Sequence, residues 1–301
     1  MNKTAKNWLI AAVILVASGF LIFIGAMAAI NFDFTKLSTW EYETNTYEVD
    51  ENFNNISIDV NITDVVFEKS NDESCKIVCY EAKQMKHSVS CSNGTLTIGV
   101  TDKRNWYDYI SITFESPKMT VYLPESKYDL VMIEVDTGNI DIPKNFTFNE
   151  LDLETHTGNI KCTANVSEIM EIESNTGSIN INSVGSSCNI NAKTNTGSLK
   201  LEDITCSELT AENDTGDIYL GNVITAERIS AITDTGDVNL KSSDAADIFL
   251  ESDTGDITGT LRSGKIFTAQ SSMGDVDVPD SSSGGKCKVT TDTGDIKIEL
   301  E

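Results

Sequence analysis

Nine glycine turns at nearly constant spacing, eight of them Thr-Gly, dominate this chain of 301 residues. The first is Thr137-Gly138-Asn139-Ile140, and the glycine recurs as Gly158, Gly177, Gly197, Gly216, Gly236, Gly255, Gly274 and Gly294. The steps are 20, 19, 20, 19, 20, 19, 19 and 20 residues, with Met273 replacing Thr in the eighth copy. A period of this length, kept over nine copies, marks a repeat architecture.

Aligning the copies on glycine yields apolar columns. Seven residues before it stand Val131, Leu151, Met170, Ile190, Leu209, Ile229, Ile248, Phe267 and Cys287. Two after it stand Ile140, Ile160, Ile179, Leu199, Ile218, Val238, Ile257, Val276 and Ile296. The column five before runs from Ile133 to Val289, and the column four after from Ile142 to Ile298, with Gly259 its one exception. Polar residues fill the gaps, as at Glu134, Glu154, Glu173, Lys193, Glu212 and Glu251. Alternation at period 2 predicts half-buried strands, one on each side of every turn. A unit this short cannot bury its own apolar face, but stacked units can. With rungs about 4.8 Å apart, nine make a rod of about 40 Å. The fold class predicted is all-β: a two-sheet β-solenoid of about nine rungs. The Leu-x-x-Leu-x-Leu pattern of leucine-rich repeats is missing.

Trp8 to Ile30 is 23 residues without a charge. As a helix it is about 34 Å long, enough to span a bilayer core of about 30 Å. Lys3 and Lys6 precede it, so the positive-inside rule puts the N-terminus in the cytoplasm and the rest outside. A cleaved signal peptide is the rival reading, with Ala26-Met27-Ala28 as a small-x-small site. The length of the apolar run favours an uncleaved anchor. The chain then divides into a cytoplasmic N-terminus (1–7), a transmembrane anchor (8–30), a linker (31–50), a β-rich N-terminal cap (51–130) and the solenoid repeats (131–301). Within the cap, Asn93-Gly94 is a hairpin-turn signal.

Lys+Arg number 22 and Asp+Glu 47, a net charge of −25. So acidic a chain is repelled by phosphate backbones, which excludes nucleic acid as a partner. A hydrophobic fraction of 40% argues against disorder.

The Gly-Asp-Ile repeat, Val121-Tyr122-Leu123-Pro124, and the Ile56-Ser57-Ile58 and Asp64-Val65 strands resemble the bacterial toastrack domain of unknown function, which also carries the label adhesin. The resemblance covers about residues 45–301. It implies a β-solenoid in the cell envelope with a scaffolding or sensing role, and it brings no catalytic residues with it. A membrane anchor of its own and seven cysteines set this chain apart from some relatives.

Several side-chain groups invite chemistry. Stacked turns place Asp217, Asp237, Asp256, Asp275 and Asp295 in one column, and Asp214, Asp234 and Asp253 in another. Like charges 4.8 Å apart repel by about 0.9 kcal/mol in water, which calcium would relieve. Early rungs carry Asn139, Asn159, Ser178 and Ser198 in the same column, so solvated turn residues are the plainer account. Cys75, Cys79, His87 and Cys91 imitate a zinc set. On one strand, however, Cys75 and Cys79 lie about 13 Å apart and cannot share an ion. A disulfide from Cys91 to Cys75 or Cys79, and a bridge between Cys188 and Cys206, are the alternatives for the thiols. Cys162 and Cys287 fall in apolar columns and read as buried thiols. His156 stands where other copies have Asp or Asn, and reads as a turn residue. Arg104 to Tyr109 form an aromatic loop, read as a piece of the cap or as a contact site. Beyond Gly294, Ile296 and Ile298 read as an open terminal strand edge, with Lys297, Glu299 and Glu301 blunting it.

No catalytic, cofactor or metal residue is assigned, and the acids repeat with the fold instead of clustering as a catalytic pair. The expectation is a non-enzymatic, single-pass membrane protein with an extracellular scaffold, interaction or stress-sensing module. Its partners are the membrane and either an envelope protein or another copy at the C-terminal edge. A calcium-assisted adhesin is the second reading, and a carbohydrate-active β-helix enzyme the third.

Overall fold

The computed structural model of the chain describes residues 3–33, 40–103, 116–182, 185 and 187–301. Helix α1 runs Lys3–Ala29, with its large apolar side chains exposed on every side apart from Met27, which is buried. Its 27 residues give a length of about 40 Å, and it is apolar enough to cross a membrane.

Seven strands build the N-terminal cap: β1 (Tyr42–Val49), β2 (Asn55–Ile62), β3 (Asp64–Lys69), β4 (Cys75–Ala82), β5 (Met85–Ser92), β6 (Thr95–Asp102) and β7 (Lys118–Leu123). Asn93 and Gly94 both take positive φ, and β5 pairs antiparallel with β6 across them. Strand β1 lies within the segment read from sequence as a linker. Thr44, Thr46 and Glu48 face outward, Asn45 and Tyr47 turn toward the buried Glu81, and the strand pairs antiparallel along its length with β4. The aromatic loop at Arg104 to Tyr109 lies outside the described residues.

The repeats follow. Strands β8 (Lys127–Thr137) and β9 (Ile140–Ile142) flank the first turn, β10 (Thr147–Thr157) and β11 (Ile160–Cys162) the second, and β12 (Asn165–Thr176) and β13 (Ile179–Asn182) the third. Strand β14 (Asn189–Thr196) leads into β15 (Leu199–Thr215) and β16 (Ile218–Thr235), each of which bends round a corner and serves two rungs. Then come β17 (Val238–Ser243), β18 (Asp247–Thr254), β19 (Ile257–Leu261), β20 (Lys265–Met273), β21 (Val276–Asp277), β22 (Gly285–Thr293) and β23 (Ile296–Leu300). Neighbouring rungs pair parallel and column on column, as Leu151 does with Val131 and Met170, and Ile160 with Ile140 and Ile179. Two long strand stacks enclose the core, so the β-solenoid read from the repeat is the fold. At the corner opposite the glycine turns, Asp203, Asn222 and Ser242 take left-handed φ near 50°. Short segments there, such as Ile204–Cys206 on Val223–Thr225, make a narrow third side.

The stacking order departs from the chain order at both ends. Strands β2 and β3 sit between the cap pair β6/β7 and the first repeat β8/β9. At the far end, β22 pairs with both β18 and β20, and β23 with both β19 and β21. The last rung in sequence is therefore inserted beneath the one before it. The expected edge at Ile296 and Ile298 lies within the stack: both are buried, Ile296 is flanked by Ile257 and Val276, and Ile298 pairs with Gly259 on one side. The outermost rung is β20/β21. Area explains the choice: β23 carries two isoleucines over five residues, whereas β21 is two residues long. Placing the more apolar strand inside covers Ile296 on both flanks and removes more apolar surface from water than burying β21 would.

Candidate functional site

Three features stand out: the turn edge, the open end of the stack, and a polar cluster buried in the cap.

At the turn edge the glycines themselves form a ladder. Gly158 has φ of 159°, and a Cβ there would lie 1.9 Å from the Gly138 carbonyl oxygen. No larger residue fits, because the neighbouring rung's backbone occupies the space. Seven of the glycine N–H groups donate to the threonine carbonyl of the next rung, as from Gly138 to Thr157 at 2.9 Å, and Gly294 donates to the Met273 carbonyl. A second ladder runs beside it, three residues before each glycine. Thr155, Ser174, Thr194, Thr233, Ser252 and Thr291 donate hydroxyls to glycine carbonyls one rung away, at 2.9 to 3.1 Å. Asn213 does the same with its amide. Sequence reading missed this column, although its run of small hydrogen-bonding residues is the signal that finds it.

The aspartate column is a third ladder. Asp237 N–H donates to Asp217 Oδ1 at 3.0 Å, Asp256 to Asp237, Asp295 to Asp256, and Asp275 to Asp295. The spatial order thus ends Asp256, Asp295, Asp275. One oxygen of each interior carboxylate is engaged by a backbone donor, which gives the column a structural role without a cation. Asn139, Asn159 and Ser178 accept in the same way in earlier rungs. His156 is exposed, 3.8 Å from Asp136.

On the outer strands, Ile266, Met273 and Val276 are 48%, 67% and 44% exposed. The open flank of β20/β21 also lacks the donors that interior rungs receive. Among the described residues, no hydroxyl reaches the Gly274 carbonyl and no backbone N–H reaches the Asp275 carboxylate. The residues expected to blunt the edge are exposed on β23 and just beyond it, and each has a partner. Lys297 pairs with Glu299 at 2.9 Å, Glu301 N–H donates to the Leu261 carbonyl, and the Glu301 carboxylate accepts from Ser242.

In the cap, the turn from β4 to β5 brings Glu81 and His87 together, both buried. Glu81 Oε2 lies 2.5 Å from His87 Nδ1 and accepts the His87 backbone N–H at 2.6 Å. Its other oxygen accepts from Asn45 at 2.6 Å and from the Tyr47 hydroxyl at 3.1 Å, both on β1. Burial alone raises the Glu81 pKa, but the His87 and Asn45 hydrogen bonds outweigh it and hold the carboxyl below its usual range. Cys79, also buried, completes the group: its sulfur, a Glu81 oxygen and a His87 nitrogen all lie within 4.8 Å of one another. Burial, then the Glu81 charge, pushes the Cys79 thiol up to about 12. Of the four residues resembling a zinc set, Cys79 and His87 are thus brought together, and Cys75 and Cys91 stand outside the group. No disulfide joins the seven cysteines; six of them are buried and Cys91 is half-buried. Glu81 escaped the sequence reading because spacing along one strand does not reveal a cluster that forms across a turn.

Comparison with known proteins places the fold in a family. The family model described as Toastrack DUF4097 matches residues 53–218 and 185–301. The chain belongs to the toastrack family. Similar solved structures include a candidate adhesin from Bacteroides fragilis, at 16% identity, covering 86% of this chain and 97% of that one, with a TM-score of 0.46. Another is a candidate adhesin from Parabacteroides merdae, at 14% identity, covering 87% and 98%, with a TM-score of 0.33. A candidate lipid-binding protein from Parabacteroides distasonis is similar at 13% identity, covering 87% and 98%, with a TM-score of 0.36. No curated protein matches the chain.

Proposed function

We propose that this protein is a non-enzymatic, single-pass membrane scaffold whose extracellular solenoid joins a second copy through its outermost rung. Helix α1 is the anchor, and Lys3 and Lys6 ahead of the apolar run support a cytoplasmic N-terminus. The observation that carries the reading is the open flank of β20/β21. It is unpaired, it exposes Ile266, Met273 and Val276, and its glycine carbonyl and aspartate carboxylate retain free acceptor positions. An uncovered strand edge is a template for strand addition. A second copy meeting it across a two-fold axis pairs like with like and closes the assembly at two.

The test is sedimentation of the full-length chain in detergent over a wide concentration range, beside the variant Met273→Lys/Val276→Lys. Both side chains are exposed, so the variant keeps the melting temperature of the parent. Association of the parent and its loss in the variant support the reading. A parent that stays monomeric throughout, or a variant that associates equally, overturns it.

A further inference from the structure

We infer that the cap holds a transition-metal site of the zinc class, with Cys79 Sγ, Glu81 and His87 Nδ1 as its protein ligands. The site does not depend on how the open end is used.

The geometry first fixes the histidine. Thr63 Oγ1 donates to the Ile62 carbonyl at 2.6 Å, so toward His87 Nε2, 3.2 Å away, it acts as acceptor. Nε2 therefore carries a hydrogen. On a neutral ring Nδ1 then presents its lone pair, and that lone pair faces a Glu81 carboxylate oxygen at 2.5 Å. At that separation the two atoms share a proton in a short hydrogen bond, and an entering metal ion takes the place of that proton. The Cys79 sulfur, within 4.8 Å of both, supplies a third ligand atom. A proton needs no third ligand, whereas one thiolate, one imidazole and one carboxylate are the donor set zinc takes.

The surroundings are those of a ligand set held in place. The second Glu81 oxygen is fixed by Asn45 and Tyr47, and Nε2–H by Thr63, as outer partners orient ligands in metal sites. Cys79, Glu81 and His87 are 0%, 0% and 5% exposed, so the ion is shielded from bulk water. A cavity of about 10 Å³ adjoins the pair, lined by Trp40, Thr63, Met85, Glu81 and His87. That is room for about one water, the remaining ligand of a four-coordinate ion. Zinc ligands stand about 3 to 4 Å apart given bonds of about 2.0 to 2.3 Å, so metal entry widens the His87–Glu81 gap by less than a rotamer change. The bound ion ties β4 to β5 at the end of the stack where the glycine ladder meets Thr63.

The test uses the reduced, chelator-treated full-length chain in detergent, titrated with Co²⁺ and then Zn²⁺. The expected result is a near-ultraviolet thiolate-to-cobalt charge-transfer band that saturates at one ion per chain and is bleached by zinc. Cys79→Ser abolishes the band, and Cys75→Ser, four residues away on the same strand, keeps it. Absence of a saturating band on folded parent protein overturns the inference, as does a band that survives Cys79→Ser. Should Cys79→Ser not fold, X-ray absorption of the cobalt-loaded parent decides. One sulfur with nitrogen and oxygen neighbours supports the site, and no sulfur or more than one overturns it.

Discussion

Gly294 packs against Gly255, although Gly274 lies between them in sequence. A Cβ on Gly294 would lie 2.1 Å from the Gly255 carbonyl oxygen, and one on Gly274 would lie 2.0 Å from that of Gly294. Gly294 is thus in an interior rung, with φ of 150° and backbone on both sides. Gly294→Ala must strain φ and push neighbouring rungs apart, which costs at least about 2 kcal/mol. Gly99→Ala is the contrasting change: φ is not positive there, and the nearest atom to its Cβ is Ser88 Oγ at 3.7 Å. It is expected to stay within about 0.5 kcal/mol of the parent. Urea melts of the two variants check the contrast.

The inserted rung also has a covalent signature. Thr254 pairs directly with Thr293, while Met273 pairs with Thr293 from the other side. Thr254 and Met273 are therefore two rungs apart, about 9.6 Å at the spacing of neighbouring strands. Thr254→Cys/Thr293→Cys is expected to oxidise to an intramolecular disulfide, and Thr254→Cys/Met273→Cys is not, since that span exceeds disulfide reach. Mass spectrometry after mild oxidation reads the result. The reverse outcome would put the rungs in chain order.

The solenoid was legible because its period is exact in the columns from Val131 to Cys287 and from Ile140 to Ile296. The order of the rungs was not legible, for the same reason. Columns that match everywhere let any rung stack on any other, so Ile298 stacks on Gly259 as readily as on Val278. Burial of the longer strand decides, and that is a property of the whole stack. Strand β1 was hidden by its polar content: Thr44, Thr46 and Glu48 lie on its outward face, and Asn45 turns inward to a hydrogen bond with Glu81. In the cap, Cys79 and His87 were visible by residue type, but Glu81 joins them only through the turn between β4 and β5.

The buried hydroxyl ladder makes a separate prediction. Thr233 is 1% exposed, and its Oγ1 donates to the Gly216 carbonyl at 3.1 Å. Thr233→Val keeps the shape and leaves that carbonyl without its side-chain donor, at a cost of about 1 to 2 kcal/mol. Thr233→Ser restores the donor and is expected to recover most of the loss. Comparison of the two in denaturant separates the hydrogen bond from packing. Equal losses in both variants would assign the effect to the missing methyl and not to the bond.

Acid is expected to act on the outermost rung through a buried ion pair. Lys265 opens β20 almost wholly buried, and its Nζ lies 2.5 Å from Asp244 Oδ1 and 2.7 Å from Ser263 Oγ. Burial alone pushes the Asp244 carboxyl up, but hydrogen bonds from Lys265 and Ser263 and the Lys265 charge together bring it below its ordinary value. A depressed folded-state pKa stabilises the protein above the unfolded value, near 3.9, and that contribution fades as pH falls through the folded value. Asp244→Asn removes the charge at every pH and leaves the buried Lys265 ammonium unpaired. The variant is therefore expected to melt lower than the parent at pH 7, and the gap to narrow once pH falls below the unfolded value and to close as it falls through the depressed folded value of Asp244. Hydrogen exchange across residues 265–273 localises the effect, with β20 amides exchanging faster in the variant at neutral pH and equally in acid. A gap of constant size from pH 7 to pH 3 would mean that the carboxylate charge does not hold the outer rung in place.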